Sequence, residues 1–181
     1  MKGLLKVLFV SALLLGMVWG GLTVFEQFMP HSKPLSSVKV GSELDDLDLY
    51  PIGSGQPKKI SSLKAKIYIL NFWATWCEAC VVEMPSLVAL RNKFKNEGVE
   101  LIPINLDQVP ETALPEAKKL GIDFESYYDK DQKLSALLNV HAIPLTVFLD
   151  QNLKILSLHP GERDWNTAGT QDLIKNWLKL K

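Results

Sequence analysis

Cysteine is scarce in this sequence, with Cys77 and Cys80 the only two among 181 residues. A closed structural zinc site needs more ligands than these two thiols, and the three histidines (His31, His141 and His159) show no paired spacing. We therefore expect no structural metal. The first 25 residues contain no cysteine at all, which excludes a lipoprotein anchor there.

An excess of charge of either sign is also missing, because 20 Lys and Arg balance 20 Asp and Glu. No block of basic residues is present that would follow a phosphate backbone, so we expect no nucleic-acid partner. Repeats and low-complexity segments are absent too. The hydrophobic content of 47% is that of an ordered chain and predicts one folded domain.

One long uncharged run is present, from Val7 to Phe25, and it follows Lys2 and Lys6. As a helix it would measure about 28 Å, close to the thickness of a bilayer core. Residues 1–29 are thus predicted to be a transmembrane signal-anchor with a cytoplasmic N-terminus. Residues 30–37 would form a linker, and residues 38–181 a periplasmic or otherwise extracytoplasmic domain. Gly20 and Gly21 leave open the alternative of cleavage and secretion to the periplasm.

Strands and helices alternate from Lys66 onward. The continuous apolar run Ile67–Phe72 predicts a central strand that is buried on both faces. Helical spacing of apolar residues follows in 78–96, and Gly98 ends that helix. The other expected elements are a hairpin in 42–59 with a helical turn at 61–63, a strand at 99–105, a helix at 110–120, an extended piece at 124–128, a small helix at 134–139, a hairpin at 145–158 and a helix at 170–180.

The two cysteines stand in the motif Trp76-Cys77-Glu78-Ala79-Cys80, at the junction between the central strand and its helix. A helix N-terminus lowers the pKa of a thiol, so Cys77 is predicted to be the attacking thiolate. Cys80, one turn further along, is predicted to be the shielded, resolving thiol. A disulfide that closes so small a loop would stabilise the fold little, and this favours a redox role over a structural one.

The same thiols allow other functions. Soft thiolates suit Cu(I), so a copper-delivery module is an alternative, with His141 as the histidine to watch. A net disulfide oxidase or isomerase would use the same residues as a reductase.

The stretch Phe72 to Cys80, Pro85 in the next helix, and Ile143-Pro144 before a strand together resemble the thioredoxin superfamily. The N-terminal anchor, the early hairpin and the added segment before Pro144 are similar to its membrane-anchored TlpA/ResA-like branch. The resemblance implies an α/β thioredoxin-like fold: a central mixed β-sheet flanked by helices, with an extra N-terminal β-hairpin and a central insertion.

The resemblance also implies roles for particular residues. Pro144 would be in cis opposite the cysteines, and the backbone of Ile143 would pair with an extended substrate. Trp76 would form part of the active-site surface. Glu83, three residues beyond Cys80, would lie beneath the site and exchange a proton with Cys80, since Asn71 replaces the buried aspartate of other thioredoxins. Trp165 lies in a stretch that recurs in TlpA-like proteins and is interpreted as packing.

These observations predict an exported thiol:disulfide oxidoreductase that needs no cofactor and reduces disulfides in proteins. Because an oxidising compartment would leave the pair oxidised after one turnover, a membrane thiol electron donor is expected to re-reduce it. By resemblance the donor would be of DsbD/CcdA type, and cytochrome c maturation is one pathway in which such a reductase would act.

Overall fold

The computed structural model describes residues 38–179. The predicted signal-anchor at 1–29 and linker at 30–37 lie outside these residues. Within the described range, no helix is both long and apolar enough to cross a membrane.

The described residues form a seven-stranded sheet with the strand order β2-β1-β5-β4-β3-β6-β7. Strands β3, β4 and β5 run parallel, whereas the other neighbouring pairs are antiparallel. The strands are β1 (Asp48–Pro51), β2 (Lys58–Lys59), β3 (Ile67–Trp73), β4 (Val99–Asn105), β5 (Tyr127–Tyr128), β6 (Leu145–Asp150) and β7 (Ile155–Pro160). The mixed sheet predicted from the sequence is therefore confirmed.

Four α-helices accompany the sheet in the described residues. They are α1 (Glu78–Phe94), α2 (Leu114–Lys119), α3 (Lys133–Leu137) and α4 (Ala168–Leu178). Short 3₁₀ turns occur at Ile60–Leu63, Lys95–Glu97, Pro110–Ala113 and Lys130–Gln132. Gly98 has a φ of 99°, a left-handed conformation that favours glycine, and it leads the chain from the end of the α1 region into β4.

All seven residues of β3 are buried, as expected for a strand covered on both faces. Because side chains alternate along a strand, Ile67, Ile69 and Trp73 pack into one hydrophobic cluster with α1 and α4, whereas Tyr68, Leu70 and Phe72 pack into another on the opposite face. Because of the same alternation, Asn71 lies on the face of β3 that packs against α1. A polar side chain is thereby placed inside an otherwise apolar layer, next to α1.

The expected N-terminal hairpin is present as β1 and β2, and the segment between β4 and β6 supplies β5. Strand β5 pairs with β4 on one side and with β1 on the other, so the inserted segment joins the hairpin to the rest of the sheet. These three strands lie beyond β4, and this makes β4 the middle strand. The expectation that the Ile67 strand is the central one is therefore off by one position.

Candidate active site

The two cysteines lie where β3 ends and α1 begins. Cys77 is the N-cap residue of α1, and its sulfur accepts a hydrogen bond from the backbone N–H of Cys80 at 3.2 Å. The two sulfurs form a disulfide. Cys77 retains 8% of its surface, whereas Cys80 is 0% exposed. This order of accessibility is the one expected for an attacking and a resolving thiol.

A side-chain clamp fixes the loop that carries the cysteines. The backbone N–H and the hydroxyl of Thr75 both donate to the Asp107 carboxylate, at 3.2 and 3.1 Å for Oδ1. Asn105, at the end of β4, donates from Nδ2 to Asp107 Oδ2 at 2.9 Å. Sequence reasoning missed Asp107, although its place just after a strand parallel to β3 was a usable signal. The carboxyl ends of neighbouring parallel strands meet at one edge of the sheet.

The Ile143–Pro144 peptide bond is cis, which confirms the expectation for Pro144. Phe72 of β3 pairs with Leu145 of β6, so Pro144 comes opposite the end of β3, beside the loop that carries Cys77. Pro144 is buried and Ile143 is half-buried. Trp76 is 70% exposed on this surface, in contrast to the fully buried Trp73.

Glu83 is a buried carboxyl group, with 1% of its surface exposed. Its Oε1 accepts from Asn71 Nδ2 at 2.8 Å, and the same amide donates to Thr146 Oγ1 at 3.0 Å. Its Oε2 accepts from the backbone N–H of Arg163 at 3.3 Å and from Trp165 Nε1 at 3.0 Å.

Burial raises the pKa of Glu83, because the charged carboxylate loses its hydration. The hydrogen bonds from Trp165, Asn71 and the Arg163 backbone act in the opposite direction, since they favour the charged form. The result remains a raised pKa. Glu83 and Cys80 are three residues apart in one helix, a spacing that puts their side chains on the same face. A buried carboxyl group with a raised pKa therefore lies on the same face of α1 as the inner cysteine.

Trp165 does more than the packing interpreted from the sequence. Its indole is buried against Phe148, with ring centroids 5.4 Å apart, and it also donates to Glu83. The contact joins residues 82 positions apart in the chain, and no local sequence pattern predicts it.

Of the histidines that the structure describes, His141 and His159 do not gather with the cysteines into a metal-ligand group. His141 is exposed in the loop before Ile143. His159 is half-buried on β7, and its pKa is lowered mainly by burial and to a smaller extent by the positive charge of Arg163. Among residues 38–179, no group of three or more His, Cys, Asp or Glu side chains is arranged to hold a metal ion.

The sheet, the disulfide at the start of α1 and the cis proline opposite it define the class as a thioredoxin-like fold. A sequence profile of the AhpC/TSA family matches residues 40–157. The chain is also similar to thiol-disulfide oxidoreductase ResA of Bacillus thuringiensis (strain Al Hakam), with 27% identity over 159 residues, 88% of this chain and 86% of that protein. For ResA of Geobacillus kaustophilus (strain HTA426), the identity is 28% over 161 residues, 89% of this chain and 87% of that protein.

Solved structures agree. A Chlorobium tepidum protein assigned as a DsbE thiol:disulfide interchange protein superposes with a TM-score of 0.69 at 25% identity, over 78% of this chain and 99% of that one. The chain belongs to the AhpC/TSA family and is a TlpA/ResA-like member of the thioredoxin superfamily. Its activity is that of a thiol:disulfide oxidoreductase.

Proposed function

We propose that this protein reduces disulfide bonds in other proteins, with Cys77 attacking and Cys80 resolving. The observation that carries this assignment is the order of accessibility within the pair: Cys77 keeps 8% of its surface at the helix N-terminus and Cys80 none. A bulky substrate disulfide reaches only the outer sulfur. The helix N-terminus stabilises negative charge there, and so favours the Cys77 thiolate in the reduced protein.

The reaction then has two exchange steps. The Cys77 thiolate attacks one sulfur of the substrate disulfide, forms a mixed disulfide and releases the other substrate sulfur as a thiolate, which takes a proton from water. Cys80 loses its proton and attacks Cys77 Sγ, which breaks the mixed disulfide and releases the second substrate thiolate. The Cys77–Cys80 disulfide remains, and the substrate has gained two electrons.

Glu83 is the proposed acceptor for the proton of Cys80. The cysteine is fully buried, so water has poor access to its thiol. A carboxyl group whose pKa is raised by burial binds a transferred proton more readily than an ordinary surface carboxylate does. Asn71 cannot accept the proton in the same way, and it contributes a hydrogen bond to Glu83 instead.

The proposed substrate surface consists of Trp76, Ile143 and Pro144 around the disulfide. Trp76 offers an exposed aromatic face, and Ile143-Pro144 leads into β6 at the edge of the sheet where Cys77 lies. An extended segment of a disulfide-containing protein would lie between them and pair with the Ile143 backbone. The relatives named thiol-disulfide oxidoreductase support this substrate class.

We further propose that the domain works outside the cytoplasm, held by the signal-anchor predicted in residues 1–29. An exported pair of this kind requires re-reduction after each turnover, so a membrane thiol donor of the DsbD/CcdA type is the expected electron source. Cytochrome c maturation is the pathway proposed for its substrates. The support for these points is the apolar N-terminal sequence and the likeness to ResA proteins.

Two cysteine variants test the order of the thiols. Cys80→Ser should accumulate a mixed disulfide with an added protein disulfide, because the resolving thiol is lost, whereas Cys77→Ser should form none and should reduce nothing. Non-reducing electrophoresis and mass spectrometry measure both products. Trapping by Cys77→Ser, or turnover by either variant, would contradict the assignment. Stoichiometric Cu(I) binding without disulfide turnover by the reduced wild-type protein would favour the copper-delivery alternative.

A further inference from the structure

The segment 161–165, which follows β7, connects two parts of the site. At one end the backbone N–H of Gly161 donates to the carbonyl of Pro144 at 2.9 Å. At the other end Arg163 and Trp165 donate to Glu83 Oε2. The segment thus contacts both the cis proline and the buried carboxyl group, although it is more than 75 residues from Glu83 in the chain.

Contacts on all sides fix the orientation of Trp165 within this segment. Its backbone N–H donates to Ser86 Oγ at 3.0 Å, and the Ser86 hydroxyl donates in turn to the carbonyl of Glu83 at 2.7 Å. The indole ring packs against Phe148 and His159, with centroids 5.4 and 5.3 Å away. The Arg163 guanidinium lies 5.1 Å from its ring centroid. The indole N–H is therefore aimed at Glu83 by the packing of the whole residue.

We propose that Trp165 is a positioning residue of the thiol–disulfide reaction, whose indole N–H orients the Glu83 carboxyl group and favours its charged form. This inference rests on the proposed role of Glu83 as proton acceptor for Cys80. A donor aimed at a buried carboxylate stabilises it more than a donor in water would, because the surroundings screen the interaction less. Without that donor, Glu83 would hold its proton to higher pH.

The other groups around Glu83 come from four elements. Glu162, in the same segment, acts on Glu83 through its charge and favours the protonated form. The Arg163 guanidinium contacts His159 Nδ1 on β7, at 2.9 Å. Asn71 of β3 donates to Glu83, and Cys80 lies on the same face of α1. Trp165 is the one aromatic donor among these groups, and it can be replaced without changing any charge.

The test is Trp165→Phe, which removes the N–H and keeps an aromatic ring against Phe148. In the oxidised protein the cysteines do not titrate, so ¹³C NMR of the Glu83 carboxyl carbon follows that group alone. The midpoint of its titration should rise by about one to two pH units, as expected for the loss of one hydrogen bond to a charged group. Trp177→Phe is the matched control, because Trp177 also packs on Phe148, at 5.2 Å, while its contacts do not include Glu83.

The outcomes separate this inference from the proposed function. An unchanged Glu83 midpoint in Trp165→Phe, or an equal rise in Trp177→Phe, overturns the role of Trp165. If Glu83→Gln leaves the pH dependence of Cys80 alkylation in the reduced protein unchanged, the role of Glu83 itself is wrong. If Trp165→Phe does not fold, Ser86→Ala takes its place, because it removes the hydroxyl that holds the backbone N–H of Trp165. This variant should also raise the midpoint of the Glu83 titration. An unchanged midpoint in Ser86→Ala would overturn the inference.

Discussion

Replacing Glu83 by glutamine should change how the stability of the oxidised protein depends on pH. Burial raises the pKa of Glu83 above its ordinary value of 4.5, so the folded state binds this proton more tightly than the unfolded state does. The stabilisation from the bound proton is complete below the unfolded pKa and is lost as the pH rises through the folded pKa. Glutamine does not titrate, and the variant should escape this loss.

The structure indicates that glutamine will fit. Its Oε1 can accept the hydrogen bonds that Arg163 and Trp165 now donate to Glu83 Oε2. Its Nε2 would face Asn71 Nδ2, but a half-turn of the Asn71 amide places Oδ1 there instead, and the hydroxyl of Thr146 can donate to that oxygen. The substitution thus removes the charge and keeps a hydrogen bond between residues 71 and 83, while Asn71 Nδ2 moves to the buried position where Oδ1 already has no partner.

The size of the effect follows from the linkage of one proton. Between the unfolded and the folded pKa of Glu83, the free energy of unfolding of the wild type should fall, relative to the variant, by up to about 1.4 kcal/mol per pH unit. Above the folded pKa the difference should become constant. Relative to the wild type, the Glu83→Gln protein should therefore gain stability as the pH rises above 4.5, until the folded pKa of Glu83 is passed.

Urea unfolding of both oxidised proteins at half-unit steps from pH 4 to pH 8 measures this difference. Glu78→Gln is the control, because Glu78 is an exposed carboxylate in the first turn of the same helix. An equal change in Glu78→Gln would show that the effect does not come from the buried carboxyl group. Parallel curves for Glu83→Gln and the wild type across the whole range would refute the reasoning, since Glu83 would then not change its protonation on unfolding there.

Two further substitutions test the surroundings of the disulfide. Asp107→Ala removes the carboxylate that accepts hydrogen bonds from Thr75 and Asn105. In urea titrations we expect the free energy of unfolding to fall by roughly 1–3 kcal/mol, and in the reduced protein we expect Cys77 to be alkylated more slowly. Unchanged stability and reactivity would show that the clamp has no effect. Trp76→Ala removes an indole that is 70% exposed, so stability should change by no more than about 0.5 kcal/mol while KM for a protein disulfide rises. A KM equal to that of the wild type would remove Trp76 from the substrate surface.

The parts of the fold that were predictable from sequence are those with local patterns. The uninterrupted apolar run of β3 marks a strand buried on both faces, and glycine at position 98 marks the end of the α1 region. The cysteine pair and Pro144 were recognisable as motifs, and their places in the structure agree with that interpretation.

The parts that were missed depend on contacts between distant residues. Strand β5 has two residues, Tyr127 and Tyr128, too few to show a pattern, and its place in the sheet is set by pairing with both β1 and β4. The hydrogen bond from Trp165 to Glu83 crosses 82 positions and comes from a residue whose apolar ring alone accounts for its burial. Local sequence carries no information on where such an N–H will point.

The reduction potential of the Cys77–Cys80 couple is the most direct test of the claim that this oxidoreductase works as a reductase. Equilibration of the domain with glutathione or dithiothreitol buffers at pH 7, followed by quantification of the alkylated thiols, gives the value. We expect a potential at or below about −220 mV, in the range of the reducing thiol proteins. A potential of about −120 mV, that of a strong disulfide oxidant, would contradict the proposed reductase and reverse the direction of electron flow.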